Sequence, residues 1–213
     1  MSRAARVVIS VSCLVALAGC SSAPAEETAD QAPVVQLGAP GEDNRELTAS
    51  EASELTAPTF TAADVEFVQM MIPHHEQALE MTALVPSRTE RDDLPLLAER
   101  IEVSQTDEIT QMRRWLDGRG QAATSHDHGD GQLMPGMLTP EEMSQLSDAR
   151  GAEFDELFLQ YMIRHHEGAV VMVEELLAAG EGGQEPQVFQ LAQHIDADQR
   201  VEISRMKQLL TEL

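Results

Sequence analysis

Two short stretches of this 213-residue chain carry side chains that can do chemistry: Met71-Ile72-Pro73-His74-His75-Glu76 and Met162-Ile163-Arg164-His165-His166-Glu167. They hold four of the seven histidines. The repeat extends past them at a constant offset of 91 residues, with Ala78 and Met81 recurring as Ala169 and Met172. A second block recurs at an offset of 94: Ile101, Gln105, Glu108, Ile109 and Met112 return as Ile195, Gln199, Glu202, Ile203 and Met206. Residues three and four apart share one side of a helix, so Met71, His74 and His75 cluster within a turn, and Met81 lies two turns beyond His74. Neutral imidazole and thioether are borderline-to-soft ligands that suit copper, with zinc reachable through imidazole alone. The candidate metal ligands are therefore Met71, His74, His75 and Met81, with Met162, His165, His166 and Met172 in the second copy.

Other residues would support such ligands. Gln105 and Glu108, with Gln199 and Glu202, can accept the second ring N–H of a histidine and fix its tautomer, the usual outer role of a carboxylate. Glu76 and Glu167 follow the His pairs but point away from the stripe and read as rim residues, Glu167 with Arg164 one turn before it as a partner. His126, His128, Met134 and Met137 lie in a polar connection and form either a copper-capturing arm or a solvated loop. His194, where the first copy has Arg100, reads as a surface residue. Each motif also has a plainer reading. A single Met on a helix stripe is core filler, and a single buried His is a hydrogen-bonded structural residue. A duplicated His-His pair facing duplicated Gln and Glu is harder to explain that way.

The elements that must position these residues follow from the 3.6-residue period. Phe67, Met71, His74, Ala78, Met81 and Val85 form one stripe of a helix. It starts near Thr61, where Thr61 to Asp64 resembles a capping box, and is expected to stop at Pro86. Pro73 inside it removes a backbone hydrogen bond. A second helix runs from about Asp93 to Gly118, with Gln105 and Glu108 inside its apolar stripe. A short helix opens at Thr139-Pro140-Glu141-Glu142 and is expected to break at Gly151. A third runs from about Ala152 to Ala179, with Gly180 as its stop, and a fourth from Pro186 to Leu210. No strand-period run competes. Two helical hairpins of equal design bury their apolar faces best against each other. The expected fold is all-α: a four-helix bundle built from two duplicated hairpins, repeat one over 60–118, a linker over 119–150 and repeat two over 151–213.

Composition narrows the function. The formal net charge is −23, from 37 acidic and 14 basic residues, only one of them Lys. Phosphate recognition needs clustered Lys and Arg, so nucleic acid is not an expected partner. Residues 1–19 read as a signal peptide: Arg3 and Arg6, then an apolar run from Val7 to Ala18 too short to span a bilayer comfortably. The run ends in Leu17-Ala18-Gly19-Cys20, which resembles a lipobox, so Cys20 is the expected lipidation site. The expected location is the outer face of the cell membrane or envelope. Removing the leader also removes Cys13, leaving no disulfide and no free thiolate to ligate metal. Residues 20–58, rich in Ala, Pro, Glu, Thr and Ser, read as a disordered tether.

The paired motifs, Phe67…Met71-Ile72-Pro73-His74-His75-Glu76-Gln77-Ala78…Met81 and Ile101…Gln105…Glu108-Ile109…Met112…Trp115-Leu116 with their second copies, resemble the DUF305 family of exported bacterial domains. The resemblance covers about 60–213. It implies a ferritin-like bundle and, from some relatives, copper binding and copper tolerance. It assigns no reaction. The expected function is a lipid-anchored protein that sequesters or hands over copper. The alternatives are a non-metal envelope protein, in which His74 and His165 bond to Glu108 or Glu202, and a ferritin-like di-metal oxidase. The last needs Glu-x-x-His, whereas both copies read Met-x-x-His. No nucleophile motif or phosphate loop points to another enzyme class. Oligomeric state stays open.

Overall fold

A computed structural model of the protein describes residues 34–36, 43–54, 59–123, 133–178, 180 and 182–213. Two units separate, 1–55 and 56–213. In the first, β1 (Val34–Gln36) pairs antiparallel with β2 (Arg45–Leu47), and α1 (Ala49–Glu54) follows. The disordered-tether reading of 20–58 expected no such elements. The hydrophobic pairing is small: Val34 lies opposite Leu47, and only Leu47 is buried. The signal-peptide reading and Cys20 fall outside the described residues. Among the described residues, no helix is long and apolar enough to cross a membrane.

The second unit holds α2 (Ala62–Thr82), α3 (Val85–Arg88), α4 (Leu94–Asp117), α5 (Pro140–Asp148), α6 (Gly151–Ala178) and α7 (Pro186–Leu210). Thr61 and Asp64 close a reciprocal capping box on α2, and Thr139 and Glu142 do so on α5. α2 runs unbroken through Pro73 and stops at Thr82, earlier than expected. Pro86 does not stop it; it sits in the first turn of α3, where its missing N–H costs nothing. Gly151, expected to break a helix, begins α6 with φ +57.

α2, α4, α6 and α7 form the bundle, with α2 packed on α4 and α6, and α7 on α6 and α4. The core has two apolar clusters. One gathers Phe67, Val68, Met71 and Ile72 of α2 with Ile109 to Leu116 of α4, Ala169 to Leu176 of α6 and Val188 to Ile195 of α7. The other gathers Ala78 and Met81 with Leu94 to Ile101, Phe154 to Ile163, and Met206 and Leu209. Each cluster joins the early part of one helix to the late part of its neighbour, so α2 is antiparallel to both α4 and α6. The α4–α6 connection must therefore cross the bundle, the long-crossover topology of ferritin-like folds. Between the clusters lies a layer of buried polar side chains: His74, His75, Gln105, Glu108, His165, His166, Gln199 and Glu202.

Candidate metal centre

The polar layer forms because both His-His pairs sit at the middle of the apolar stripes of α2 and α6, where helix periodicity turns them inward. All four imidazoles are fully buried. At each outer end a carboxylate from the neighbouring helix receives a ring proton. The His75 Nε2–H donates to Glu108 Oε2 at 2.7 Å, and the His166 Nε2–H donates to Glu202 Oε2 at 2.8 Å. In the middle, the rings of His74 and His165 face each other with centroids 3.9 Å apart and planes inclined at 40°. Within each pair the centroids are 6.4 Å (His74–His75) and 6.2 Å (His165–His166) apart. The result is a row across the bundle, from Glu108 on α4 through four histidines to Glu202 on α7.

The inner histidines are held neutral. Burial, followed by the neighbouring His75, pushes His74 down to about 3, against the raising effect of its Pro135 hydrogen bond. Burial, then His74 and His166, keep His165 well below the ordinary histidine range. The His74 Nε2–H donates to the Pro135 carbonyl oxygen at 3.0 Å. A carbonyl only accepts, so Nε2 carries the proton and Nδ1 is a lone pair. By the same logic, in their neutral form His75 and His166 carry a lone pair at Nδ1. The Nδ1 atoms of His74, His75 and His166 are buried without a hydrogen-bond partner, and the ring nitrogens of His165 have none beyond a weak approach to the His74 backbone. Such orphaned groups are costly in a finished protein interior.

The structure redistributes the roles that the sequence suggests. The outer histidines, His75 and His166, take the carboxylates, whereas the non-metal alternative expected His74 and His165 to do so. Gln105 and Gln199 share the layer, but neither amide has a partner. Glu202 Oε1 lies 3.6 Å from Arg100 Nε, a partner invisible in the sequence because the repeat puts His194 in Arg100's place. Glu76 pairs with Arg113. Glu167 pairs with Lys207 at 2.8 Å and not with Arg164, because Arg164 grips Glu142 of α5 with two bonds of 2.7 Å. That grip is the main cause holding the Glu142 carboxyl below its usual range.

The methionines are sorted by level and not by repeat. Met71 and Met172 lie in one apolar cluster with Met112, and Met162 and Met81 lie in the other with Met206. Antiparallel packing thus gives each side of the histidine layer three buried thioethers from three helices; one on each side, Met112 or Met206, recurs in the repeats but is not among the candidate ligands read from the sequence. Met134 and Met137 are half-buried in the crossing linker, and Met134 packs on the first of these clusters. His126 and His128 lie outside the described residues.

Residues 64–210 match the family described as "Domain of unknown function (DUF305)". The chain belongs to the DUF305 family. Its fold resembles that of a DUF305 fragment from Deinococcus radiodurans, with 35% identity, TM-score 0.66, and coverage of 73% of this chain and 100% of that one. It also resembles a DUF305 protein from Streptomyces coelicolor, whose name provisionally calls it secreted; there the identity is 33%, the TM-score 0.64, and the coverage 70% and 93%. A third similar structure is CopM in its Cu(I)-bound form, with 28% identity, TM-score 0.58, and coverage of 70% and 96%. No curated protein sequence matches the chain.

The chemistry of this DUF305 layer decides which ions it fits. Among the described residues, no three His, Cys, Asp or Glu side chains form a group that could hold a metal. The layer's two carboxylates, Glu108 and Glu202, are each engaged with a histidine. The donors of this layer, imidazole nitrogen and thioether sulfur, suit a hard, oxygen-seeking cation poorly. Neutral imidazole nitrogens with free lone pairs, bordered by buried sulfur, fit a soft ion of low coordination number. The di-metal oxidase reading finds no support in this donor set: thioethers stand where it needs carboxylates.

Proposed function

We propose that this DUF305 domain binds copper as cargo, most readily as Cu(I), for sequestration or handover. The observation that carries the reading is the buried row of four histidines with unpartnered ring nitrogens between two methionine-bearing clusters. Likeness to CopM, solved in Cu(I)-, Cu(II)- and Ag-bound forms, supports it. Copper favours imidazole and thioether donors and tolerates few of them. His74 and His165 sit face to face at the centre, already neutral, so a cation meets no ring proton to displace from a charged histidine. Glu108 and Glu202 hold His75 and His166 by their Nε2–H groups, which leaves Nδ1 of each free to ligate. Met71, Met172, Met81 and Met162 supply sulfur from the flanking levels.

The test is titration of the protein with Cu(I), Cu(II) and Zn(II), beside a variant in which His74, His75, His165 and His166 are all Ala, its fold checked by circular dichroism. We expect Cu(I) to bind the wild type and to be lost from the folded variant. Equal binding by both would overturn the reading. Replacing His126 and His128 alone tests the linker separately.

The reading extends to location. The apolar leader and Leu17-Ala18-Gly19-Cys20 support export and lipid attachment at Cys20, placing the domain where an envelope protein would meet metal from outside. Cys20→Ser should move the protein from the membrane fraction to the soluble fraction; retention in the membrane would refute the anchor.

A further inference from the structure

The two halves of the molecule repeat each other closely around the histidines, and two of the places where they differ have a common cause. Gln77 in one copy corresponds to Gly168 in the other, and Pro73 corresponds to Arg164. Three of these four residues engage the segment that crosses the bundle between α4 and α6. Gln77 clamps Leu138 reciprocally: its Nε2–H donates to the Leu138 carbonyl at 3.0 Å, and its Oε1 accepts the Leu138 N–H at 2.7 Å. Gly168 lets the segment pass against α6. A Cβ there would stand 2.0 Å from the Pro135 carbonyl oxygen, and one on Gly136 would stand 2.5 Å from the Arg164 carbonyl oxygen. Gly136 also has φ +78, which only glycine adopts easily. Arg164 fastens Glu142, where the segment runs into α5.

This strap, Leu133 to Leu138, lies over the inner histidines. Pro135 accepts the His74 Nε2–H, and Gly136 rides on the backbone of His165. Everything else around those rings belongs to four helices locked by two apolar clusters. The strap is held near the rings by the two Gln77 bonds, the His74–Pro135 bond, the glycine contact, half-buried Met134 and Leu138, which is buried in the cluster of Ala78 and Met81. Leu138 is its one fully buried apolar side chain, so releasing it disturbs less buried apolar surface than displacing a helix of the bundle. A cleft between α4 and α7 also approaches the layer, but it is lined by Arg100 and Glu202 and adjoins the carboxylate partner of His166, not the inner pair.

We propose that Leu133–Leu138 is a gate over His74 and His165, and that Gln77 and Gly168 are the positioning residues that keep it closed. The asymmetry of the repeat follows: one copy carries the clamp, the other the groove, and a single strap serves both histidines. As a gate for copper this rests on the function proposed above; as a cover for the two imidazoles it stands independently.

The experiment separates the two. Full-length wild type, Q77A, Q77E and G168A are treated, without metal, with diethyl pyrocarbonate, and modification of each histidine is followed by peptide mass spectrometry. Exposed His194 serves as the internal reference. Losing the two Gln77 bonds should raise the open population roughly 10–100-fold. Modification of His74 and His165 relative to His194 should rise by that factor in Q77A, comparably in Q77E, which keeps the acceptor but sets a carboxylate oxygen against the Leu138 carbonyl, and at least as much in G168A. Ala in place of Gly favours the helix itself, so G168A acts on the strap. Ratios equal to wild type in the folded variants would overturn the gate. Cu(I) transfer from a coloured chelator is then timed. Faster capture with unchanged stoichiometry in Q77A and G168A supports the gate on the metal path. Unchanged capture with raised histidine reactivity overturns its role for copper while leaving the cover. No Cu(I) uptake by any protein, with raised reactivity, removes the copper reading and not the cover.

Discussion

Acidification should destabilise this domain through its two inner histidines. In the unfolded chain a histidine titrates near 6.5. In the fold, burial pushes His74 down to about 3 and holds His165 well below its ordinary range. Below about pH 6.5 the unfolded chain takes up two protons that the native state refuses. Stability therefore rises with pH in this window and is lost as pH falls, with no such loss above 6.5 and no further loss from His74 below about 3. Each group contributes a slope of about 1.4 kcal/mol per pH unit. Between pH 7.5 and 5.0, each removes about 2 kcal/mol, and the two together about 4 kcal/mol, a large share of the ~5–15 kcal/mol typical of a domain. Urea denaturation at pH 7.5, 6.0 and 5.0 measures it, with H74Q/H165Q as the comparison. The double variant cancels the background from the many surface carboxylates, because both proteins carry it. Wild type should lose about 4 kcal/mol more than the variant across the range. Parallel curves for the two proteins would refute the claim that these rings are held neutral.

Asp64 should behave as a structural clasp. It is fully buried, accepts the Thr61 N–H at 2.9 Å through Oδ2, and accepts the Gly183 N–H at 2.6 Å through Oδ1. D64A strands both donors and should cost about 2–4 kcal/mol in chemical denaturation; a loss under 0.5 kcal/mol would show the clasp to be dispensable. E108A and E202A leave a buried ring N–H without an acceptor and should each cost about 1–3 kcal/mol, whereas E108Q and E202Q keep an acceptor and should stay near wild type. In Cu(I) competition assays the Ala variants should also lose roughly 10–100-fold in affinity; unchanged affinity would detach the carboxylates from the site. Methionine sulfur can be tested apart from packing. M71L/M172L and M81L/M162L are nearly volume-conserving and should cost under about 1.5 kcal/mol per site, so a drop in Cu(I) affinity at retained stability identifies ligation, and an unchanged affinity identifies core filler.

The bundle was legible because its signals are local and repeated. Apolar residues at helical spacing, the capping boxes at Thr61 and Thr139, and the stop at Gly180 each act within a few residues, and the 91- and 94-residue offsets show them twice. The burial of both His pairs followed from the same period. Glu108 and Glu202 were visible as polar residues inside an apolar stripe, a placement that a protein interior tolerates only with a partner. The element at Pro86 was misread because proline is compatible with the first turn of a helix as well as with its end. The strands at 34–36 and 45–47 were missed because three residues are too few to show a period.

Sequence alone determined which residues share a face: helix geometry relates residues a few positions apart, and no tertiary contact can rotate a helical side chain to the opposite side. It also determined that no cysteine remains in the bundle and that sulfur must come from methionine. Only the tertiary structure decided which faces meet. Antiparallel packing assigned His75 and His166 to the carboxylates, set His74 against His165 at 3.9 Å, and sorted the methionines by level across repeats. It also brought Pro135, 61 residues away in sequence, onto His74. These pairings depend on helix direction and on the path of one crossing segment, which no local periodicity encodes.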